Sequence, residues 1–251
     1  MSLAWKDGQL DTSDSGTGVD SFTIDNDTLF NIVVGDLIAV FVKWEDVACA
    51  DVACVDSGGV NVYVGKTTVN GANIYGKWFY CIATSAVNNA TWTITFVSNS
   101  VNWTRGIVHV FTVDSGETVT IDIEKSGVGT GTAMSTASGN TTGNDEVVLC
   151  GYGEYSSGTV SAMNLANTTA GVVAYPASQP ATITWTWYKL YTATVAAMHC
   201  DATLSGSAEW LLSLISFKSA AAAADALGWM TDGQSNRPLP HHLDKGVYVG
   251  Y

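Results

Sequence analysis

Apolar residues occur along the chain in short segments that are separated by residues typical of turns. Asp36-Leu-Ile-Ala-Val-Phe-Val-Lys43 is a continuous apolar segment, and its length and flanking Gly35 favour a buried strand over a helix. Polar and apolar residues alternate over 21–25, which places Phe22 and Ile24 on one face of a second strand. Further strands are predicted at residues 60–64, 75–84, 91–97, 107–113, 118–123, 146–150, 159–163, 182–190, 192–200 and 209–218.

The spacing of these segments predicts an all-β fold. Turn residues separate them, and no interval is long enough for the repeated crossovers of a parallel α/β sheet. We therefore expect a two-sheet antiparallel sandwich, of the jelly-roll or immunoglobulin-like type, over residues 21–218. The polar residues 1–20 are predicted to be an N-terminal arm or an irregular lead-in. The Gly- and Thr-rich residues 126–143 are expected to be a long crossing connection or an edge strand with loops.

The two halves of the chain resemble each other weakly. Gly35-Asp-Leu-Ile-Ala-Val40 and Asn144-Asp-Glu-Val-Val-Leu149 each place a turn residue and an acid before an apolar strand. A single match of this kind is too little to establish a repeat.

The composition changes after Lys218. Residues 219–227 are rich in alanine and could form about two helical turns, although so short a helix is marginal without packing. Residues 228–251 lack periodicity but carry more large apolar side chains than a disordered segment usually has. We therefore expect 219–251 to be a connector and an extended C-terminal tail that binds a partner. The expected contacts are Trp229, Arg237, Leu239, Leu243, Tyr248 and Tyr251.

The charge of the chain is strongly negative and unevenly distributed. The formal net charge is −13, and residues 1–60 contribute −9 of it, from eleven acids and two lysines. An acidic surface repels phosphate, so nucleic acid and anionic membranes are not expected as direct partners. The first residues also lack the basic and apolar regions of a secretory signal, so ordinary secretory export is not expected.

The sequence contains no recognisable catalytic motif. It has no Gly-x-Ser-x-Gly elbow, no His-Glu-x-x-His and no phosphate or dinucleotide loop. His109 lies in a predicted strand, where a single histidine is more often structural than catalytic. We therefore expect neither an enzyme nor a cofactor.

Acidic residues near the predicted strand ends are weak candidates for calcium ligands. Asp25 and Asp27 lie together, and Asp46 and Asp51 belong to a second acidic loop. Carboxylate oxygens suit calcium, but neither group matches the twelve-residue EF-hand loop. Turn formation and solvation are the commoner roles of such residues.

Aromatic residues suggest a sugar-binding surface. Trp185 and Trp187 fall on one face of a predicted strand, where they could stack on a sugar or fill the core. The apolar Ile183 on the same face favours the core, which leaves Tyr188 and Tyr191 as the outward candidates. The candidate glycan contacts are thus Trp187, Tyr188 and Tyr191.

The five cysteines are an odd number and do not indicate a disulfide framework. Cys81, Cys150 and Cys200 lie in strand-like segments and are expected to be buried free thiols. Cys49 and Cys54 lie in a loop, where they could form a local bridge or remain two free thiols.

The order of the core segments resembles a β-sandwich common in virion proteins of tailed bacteriophages and in bacterial surface proteins. The resemblance rests on Gly35-Asp-Leu-Ile-Ala-Val40, on Gly76-Lys-Trp-Phe-Tyr-Cys-Ile-Ala83 and on Ala90-Thr-Trp-Thr-Ile-Thr-Phe96. Trp210-Leu-Leu-Ser-Leu-Ile-Ser-Phe-Lys218 belongs to the same pattern. These are core-packing motifs, which identify a fold better than a function.

The resemblance implies a non-enzymatic structural protein of the virion, either a capsid decoration (cement) protein or a head-fibre or tail component. Such proteins are often trimeric and bind the major capsid protein or neighbouring copies. The expected location is the virion, assembled in the host cytoplasm. The alternative is a carbohydrate-binding adhesin or receptor-binding domain of a phage or bacterial surface.

Overall fold

The computed structural model describes residues 3–10, 17–25, 31–155, 159–166, 172–176 and 184–221. These residues contain fifteen strands and no helix, and every strand pair is antiparallel. The predicted all-β, antiparallel fold is therefore confirmed. The strands are β1 (Leu3–Leu10), β2 (Ser21–Ile24), β3 (Leu37–Glu45), β4 (Val52–Asp56), β5 (Val64–Gly65), β6 (Val69–Asn70), β7 (Ile74–Ile82), β8 (Trp92–Phe96), β9 (Asn102–Val113), β10 (Glu117–Ser135), β11 (Asp145–Glu154), β12 (Val160–Leu165), β13 (Val173–Pro176), β14 (Thr184–Tyr191) and β15 (Cys200–Ala221).

The strands form three sheets, where the sequence predicted two. The first central sheet has the order β1-β9-β3-β7-β5, with β6 beside β7. The second central sheet has the order β10-β15-β11-β14-β13, with β12 beside β15. The outer sheet has the order β2-β8-β4 and packs on the first central sheet. The two central sheets pack against each other, so the layers are those of stacked β-sandwiches.

Burial of both faces explains the continuous apolar segments of the central strands. Every residue of β3 is buried. Leu37 and Ala39 face the second central sheet, whereas Ile38 and Val40 face the outer sheet. A strand that alternates between two cores has no solvent face, so its sequence shows no polar alternation.

The two halves of the chain have the same strand order. The strands of the first central sheet, β1, β9, β3, β7 and β5, correspond in turn to β10, β15, β11, β14 and β13 of the second. Corresponding strands have corresponding neighbours in the sheet, and they follow one another in the same order along the chain. The outer sheet has its counterpart in the end of β10, the start of β15 and β12. We call residues 3–113 the N-terminal repeat and residues 117–221 the C-terminal repeat. A short turn at 114–116 joins them.

A shared irregularity fixes the register of the two repeats. Trp5 on β1 lies opposite Phe111, and a β-bulge follows at once. Ile121 on β10 lies opposite Phe217, and a bulge follows in the same way. A bulge bends its strand and is a specific feature of a fold. Phe111 and Phe217 are therefore equivalent positions.

The repeats exchange equivalent contacts across the interface between the central sheets. Tyr80 packs on Phe217 with ring centroids 5.2 Å apart, and the equivalent Tyr188 packs on Phe111 at 5.4 Å. The Trp78 indole N–H also donates to the carbonyl oxygen of Ser213 at 3.0 Å. Such reciprocal contacts resemble those of an isologous dimer, here formed within one chain.

Replacing Gly151 by alanine tests this close packing. A Cβ atom at Gly151 would lie 2.4 Å from a ring carbon of Phe41 in the other repeat. Because overpacking strains a core, we expect Gly151→Ala to lower the free energy of unfolding by about 1–3 kcal/mol in denaturant titrations. Gly206→Ala is the control, since no atom lies within 4 Å of its Cβ position. Equal stability of the two variants would contradict this packing.

Several predicted boundaries need correction. The predicted lead-in at 1–20 contains strand β1, whose polar residues fit an edge position beside β9. Of the two alternatives for residues 126–143, the edge strand is confirmed as far as Ser135, where the segment continues β10, because threonine and small residues suit an exposed edge. Residues 192–199 contain no strand, and β15 instead begins at Cys200 and extends three residues beyond 218.

Candidate functional site

Four exposed valines lie where the sheets of the N-terminal repeat end. Val55 belongs to β4, at the end of the outer sheet, and Val64 belongs to β5, at the end of the first central sheet. Val60 and Val62 lie between them, and the Val62 side chain is 79% exposed. We call Val55, Val60, Val62 and Val64 the valine edge.

A network of hydrogen bonds holds the chain that carries the valine edge. The Asp56 carboxylate accepts the backbone N–H groups of Gly58 and Gly59, each at 3.0 Å. The Asn61 side-chain oxygen accepts the N–H groups of Thr84 at 2.9 Å and Ser85 at 3.0 Å. Asn61 is buried and anchored inward, whereas its neighbours Val60 and Val62 are exposed.

The valine edge is uncharged as well as apolar. Residues 57–65 contain no Asp, Glu, Lys or Arg, although the chain as a whole is strongly acidic. Within the part of the chain that the structure describes, β4 and β5 each pair with one strand only. An edge with free backbone groups, no charge and exposed aliphatic side chains is suited to association with another protein.

The C-terminal repeat has a related feature at the equivalent edge. Val64 lies opposite Tyr80, and Val173 on β13 lies opposite the equivalent Tyr188. Val64 is 47% exposed and Val173 is 40% exposed. Both repeats therefore present an exposed valine at the same position of the fold.

The predicted tail contacts lie outside the described residues, which end at Ala221. Their participation in partner binding stays a prediction. These residues are Trp229, Arg237, Leu239, Leu243, Tyr248 and Tyr251.

The proposed glycan contacts are wrong for two of the three residues. Trp187 is fully buried in the core of the C-terminal repeat, and Tyr188 is buried between the central sheets. Trp187 and Tyr188 point to opposite faces of β14, and an apolar layer covers each face. Tyr191 is half-buried, and burial raises its pKa to about 12. The Lys189 ammonium lies 5.1 Å from the centroid of the Tyr191 ring. Because Trp187 and Tyr188 are buried, the three side chains form no common exposed platform.

The calcium candidates are not brought together. Asp27 lies outside the described residues. Asp25, Asp46 and Asp51 are exposed, and Asp46 accepts a hydrogen bond from the Asn102 amide at 2.9 Å. No group of three or more Asp, Glu, His or Cys residues that could hold a metal occurs among the residues that the structure describes.

The cysteines differ from the prediction. Cys150 on β11 and Cys200 at the start of β15 form a disulfide, with Cα atoms 6.3 Å apart. Cys49, Cys54 and Cys81 are buried free thiols, so the alternative of a local Cys49–Cys54 bridge is wrong. The Cys49 sulfur lies 3.3 Å from the Ser98 hydroxyl.

A group of buried polar side chains between the repeats was not expected from the sequence. The Lys43 ammonium contacts the Glu45 carboxylate, and Arg105 and Glu154 are buried near Lys43. Burial lowers the pKa of Lys43 and raises that of Glu45. Strand alternation could have revealed the pair, because residues 43 and 45 share the inward face of Leu37.

His109 is a second buried polar contact between the repeats. Its Nε2 atom lies 2.7 Å from the hydroxyl oxygen of Thr186 on β14. Burial lowers the pKa of His109 to about 3, so the ring is neutral at physiological pH. The structure thus supports the structural role expected for this histidine.

No family model, curated protein or solved structure matches the chain. Among the described residues there is also no helix long and apolar enough to cross a membrane.

Proposed function

We propose that this chain is a non-enzymatic structural protein of a tailed-phage virion, of the capsid decoration (cement) type. The observation that carries the proposal is the valine edge, with its counterpart Val173 in the second repeat. Exposed aliphatic residues on uncharged sheet edges favour stable association with other proteins. Two similar edges on one chain would let it contact two neighbours at once.

We assign each repeat to the jelly-roll type rather than the immunoglobulin type. Numbered within the N-terminal repeat without the short β6, the first central sheet has the order 1-8-3-6-5 and the outer sheet 2-7-4. This arrangement supports an eight-stranded double Greek key, in which strand 5 has joined the first sheet. Jelly rolls occur in viral capsid proteins and in lectins, so the type agrees with the proposal without selecting it.

The proposed partners are the major capsid protein and neighbouring copies of this chain, with a trimer as the assembled form. The tail at 222–251 would add contacts to those made by the valine edge. The proposed location is the virion, assembled in the host cytoplasm. The carbohydrate-binding alternative keeps only Tyr191 of its three candidate contacts, because Trp187 and Tyr188 are buried.

Binding to phage particles tests the proposal. We expect the full-length chain to cosediment with particles that lack it, and Val62→Lys to weaken this binding about tenfold or more, because a charge enters an apolar contact. Val97→Lys is the matched control, since Val97 is an exposed valine that follows β8, outside the valine edge. Circular dichroism would verify that both variants are folded.

Two results would contradict the proposal. Failure of the unaltered chain to bind particles would remove the virion role. Equal weakening by Val62→Lys and Val97→Lys would show that the valine edge is not the contact surface.

A further inference from the structure

A groove of about 380 Å³ lies at the junction of the two repeats. Val34, Ile82, Val113 and Val119 supply its apolar lining, and the turn at 114–116 borders it. The Val34 side chain is 66% exposed. A fixed turn carries Val34, since the Asp36 carboxylate accepts the backbone N–H of Val33 at 2.9 Å.

The groove is the open end of the core between the central sheets. Ile82, Val113 and Val119 are only half-buried, although they pack against the fully buried residues of that core. The bulges make Trp5 and Ile121 equivalent positions, so Val119 of the C-terminal repeat is equivalent to Leu3 of the N-terminal repeat. Leu3 is completely buried. The same position is thus covered in one repeat and uncovered in the other. Covering the groove would remove apolar surface from water, which is favourable.

The chain leaves the described fold at the rim of this groove. Ala221, the last residue of β15, lies opposite Glu117, which lines the groove together with Val119. Thirty residues of the sequence, 222–251, follow Ala221. The first large apolar side chains among them are Leu227 and Trp229.

We propose that Leu227 and Trp229 occupy this groove and close the core between the repeats. At about 3.3 Å per extended residue, six to eight residues span roughly 20–26 Å, which is ample for a site beside Ala221. Residues 222–226 are four alanines and one aspartate, so no bulky side chain hinders the approach. The proposal is independent of the virion role and assigns Trp229 to its own chain rather than to a partner.

A tethered segment has an advantage over any free ligand. A short linker holds its end near the groove at an effective concentration in the millimolar range. A second copy of the chain or another protein would have to reach such a concentration in solution to compete. This comparison favours the chain's own continuation as the occupant.

Photo-crosslinking tests which segment fills the groove. The full-length chain with a benzophenone amino acid in place of Val34 would be irradiated as an equal mixture of ¹⁴N- and ¹⁵N-labelled protein and analysed by mass spectrometry. We expect crosslinks to the peptide containing residues 227 and 229, with both partners carrying the same isotope. The same probe at the exposed Val62 is the control and should not yield that product. Absence of the product from the Val34 probe, or mixed-isotope products amounting to about half of the total, as random pairing between copies gives, would overturn the proposal.

Thermal unfolding of the full-length chain provides the second measurement. We expect Trp229→Ala to lower Tm by about 5 °C, because it uncovers the groove. In a chain that carries Val34→Asp the same change should have little further effect, since residues in contact are coupled. Additive shifts, or no shift with Trp229→Ala, would show that this side chain does not fill the groove.

Discussion

The double variant Cys150→Ala/Cys200→Ala is expected to lose about 4 kcal/mol of unfolding free energy. The disulfide joins residues 50 positions apart, and in the chain-entropy account a loop of this length stabilises by about that amount. The bridge connects β11, which lies in the second central sheet, to the start of β15. The start of β15 belongs to the layer on the opposite side of the core of the C-terminal repeat. Its loss therefore frees two layers that are otherwise covalently joined.

Denaturant titration with and without a thiol reductant checks this expectation. The reductant should lower the unfolding midpoint of the unaltered chain towards that of the double variant and leave the variant unchanged. Cys81→Ala is a useful control, because it removes a buried free thiol but keeps the bridge. That variant should still respond to the reductant. An unaltered chain whose midpoint is insensitive to full reduction would contradict the expectation.

The local structure of the chain could be predicted well from its sequence. The segment at 36–43 forms most of β3, that at 91–97 forms β8, and that at 209–218 lies entirely within β15. Each has a length, a composition and flanking turns that distinguish a strand from a helix. The strand at 192–200 was wrong because β-branched residues also occur in the extended connections of a β protein.

The duplication could not be predicted, because equivalent positions carry different side chains. Phe41 corresponds to Gly151, and Trp78 corresponds to Thr186. Close packing of the repeats explains the first of these differences, since the large Phe41 side chain requires a small residue opposite it. The Cβ position of Gly151 is occupied by the Phe41 ring.

The weak similarity in the sequence was also aligned one residue away from the structural register. It matched Asp36 with Asp145, whereas the structure places Leu37 opposite Phe111 and Val147 opposite Phe217. Asp36 is therefore equivalent to Glu146, and both carboxylates are buried at the start of a strand. A shift of one residue exchanges the two faces of a strand, so only pairing partners could reveal the register.

The candidate site depends on exposure, which a single sequence does not determine. Residues 60–64 alternate as a strand would, and only Val64 enters β5. Whether Val60 and Val62 face a core depends on which strands lie beside them. Asn61 decides the matter through its hydrogen bonds to Thr84 and Ser85, which are distant in sequence. The burial of Trp187 likewise follows from the layer covering β14 and not from its own segment of sequence.

Acid is expected to weaken the chain through His109. The folded protein holds this ring neutral, with a pKa of about 3, whereas the unfolded chain has the ordinary value near 6.5. Above pH 6.5 both states are neutral and the histidine has no effect. As the pH falls below 6.5 the unfolded state binds a proton that the folded state refuses, so stability declines until the pH reaches about 3. The full loss is about 5 kcal/mol, and about 2 kcal/mol is lost by pH 5.

Comparison with His109→Gln isolates this effect from those of other groups. Glu45 and Glu146 have raised pKa values because they are buried, so they oppose the histidine by favouring the folded state in acid. Glutamine does not titrate and can still reach the Thr186 hydroxyl. We expect the stability difference between the unaltered chain and His109→Gln to shift by about 2 kcal/mol in favour of the variant from pH 7.5 to pH 5.

Urea titrations at a series of pH values measure that difference. Parallel stability curves for the two proteins would mean that His109 is accessible to protons in the folded state, contrary to its burial. A converging pair of curves would identify the contact between His109 and Thr186 as an acid-sensitive point of the repeat interface. Because this contact joins β9 of one repeat to β14 of the other, the destabilisation should act on the association of the two central sheets.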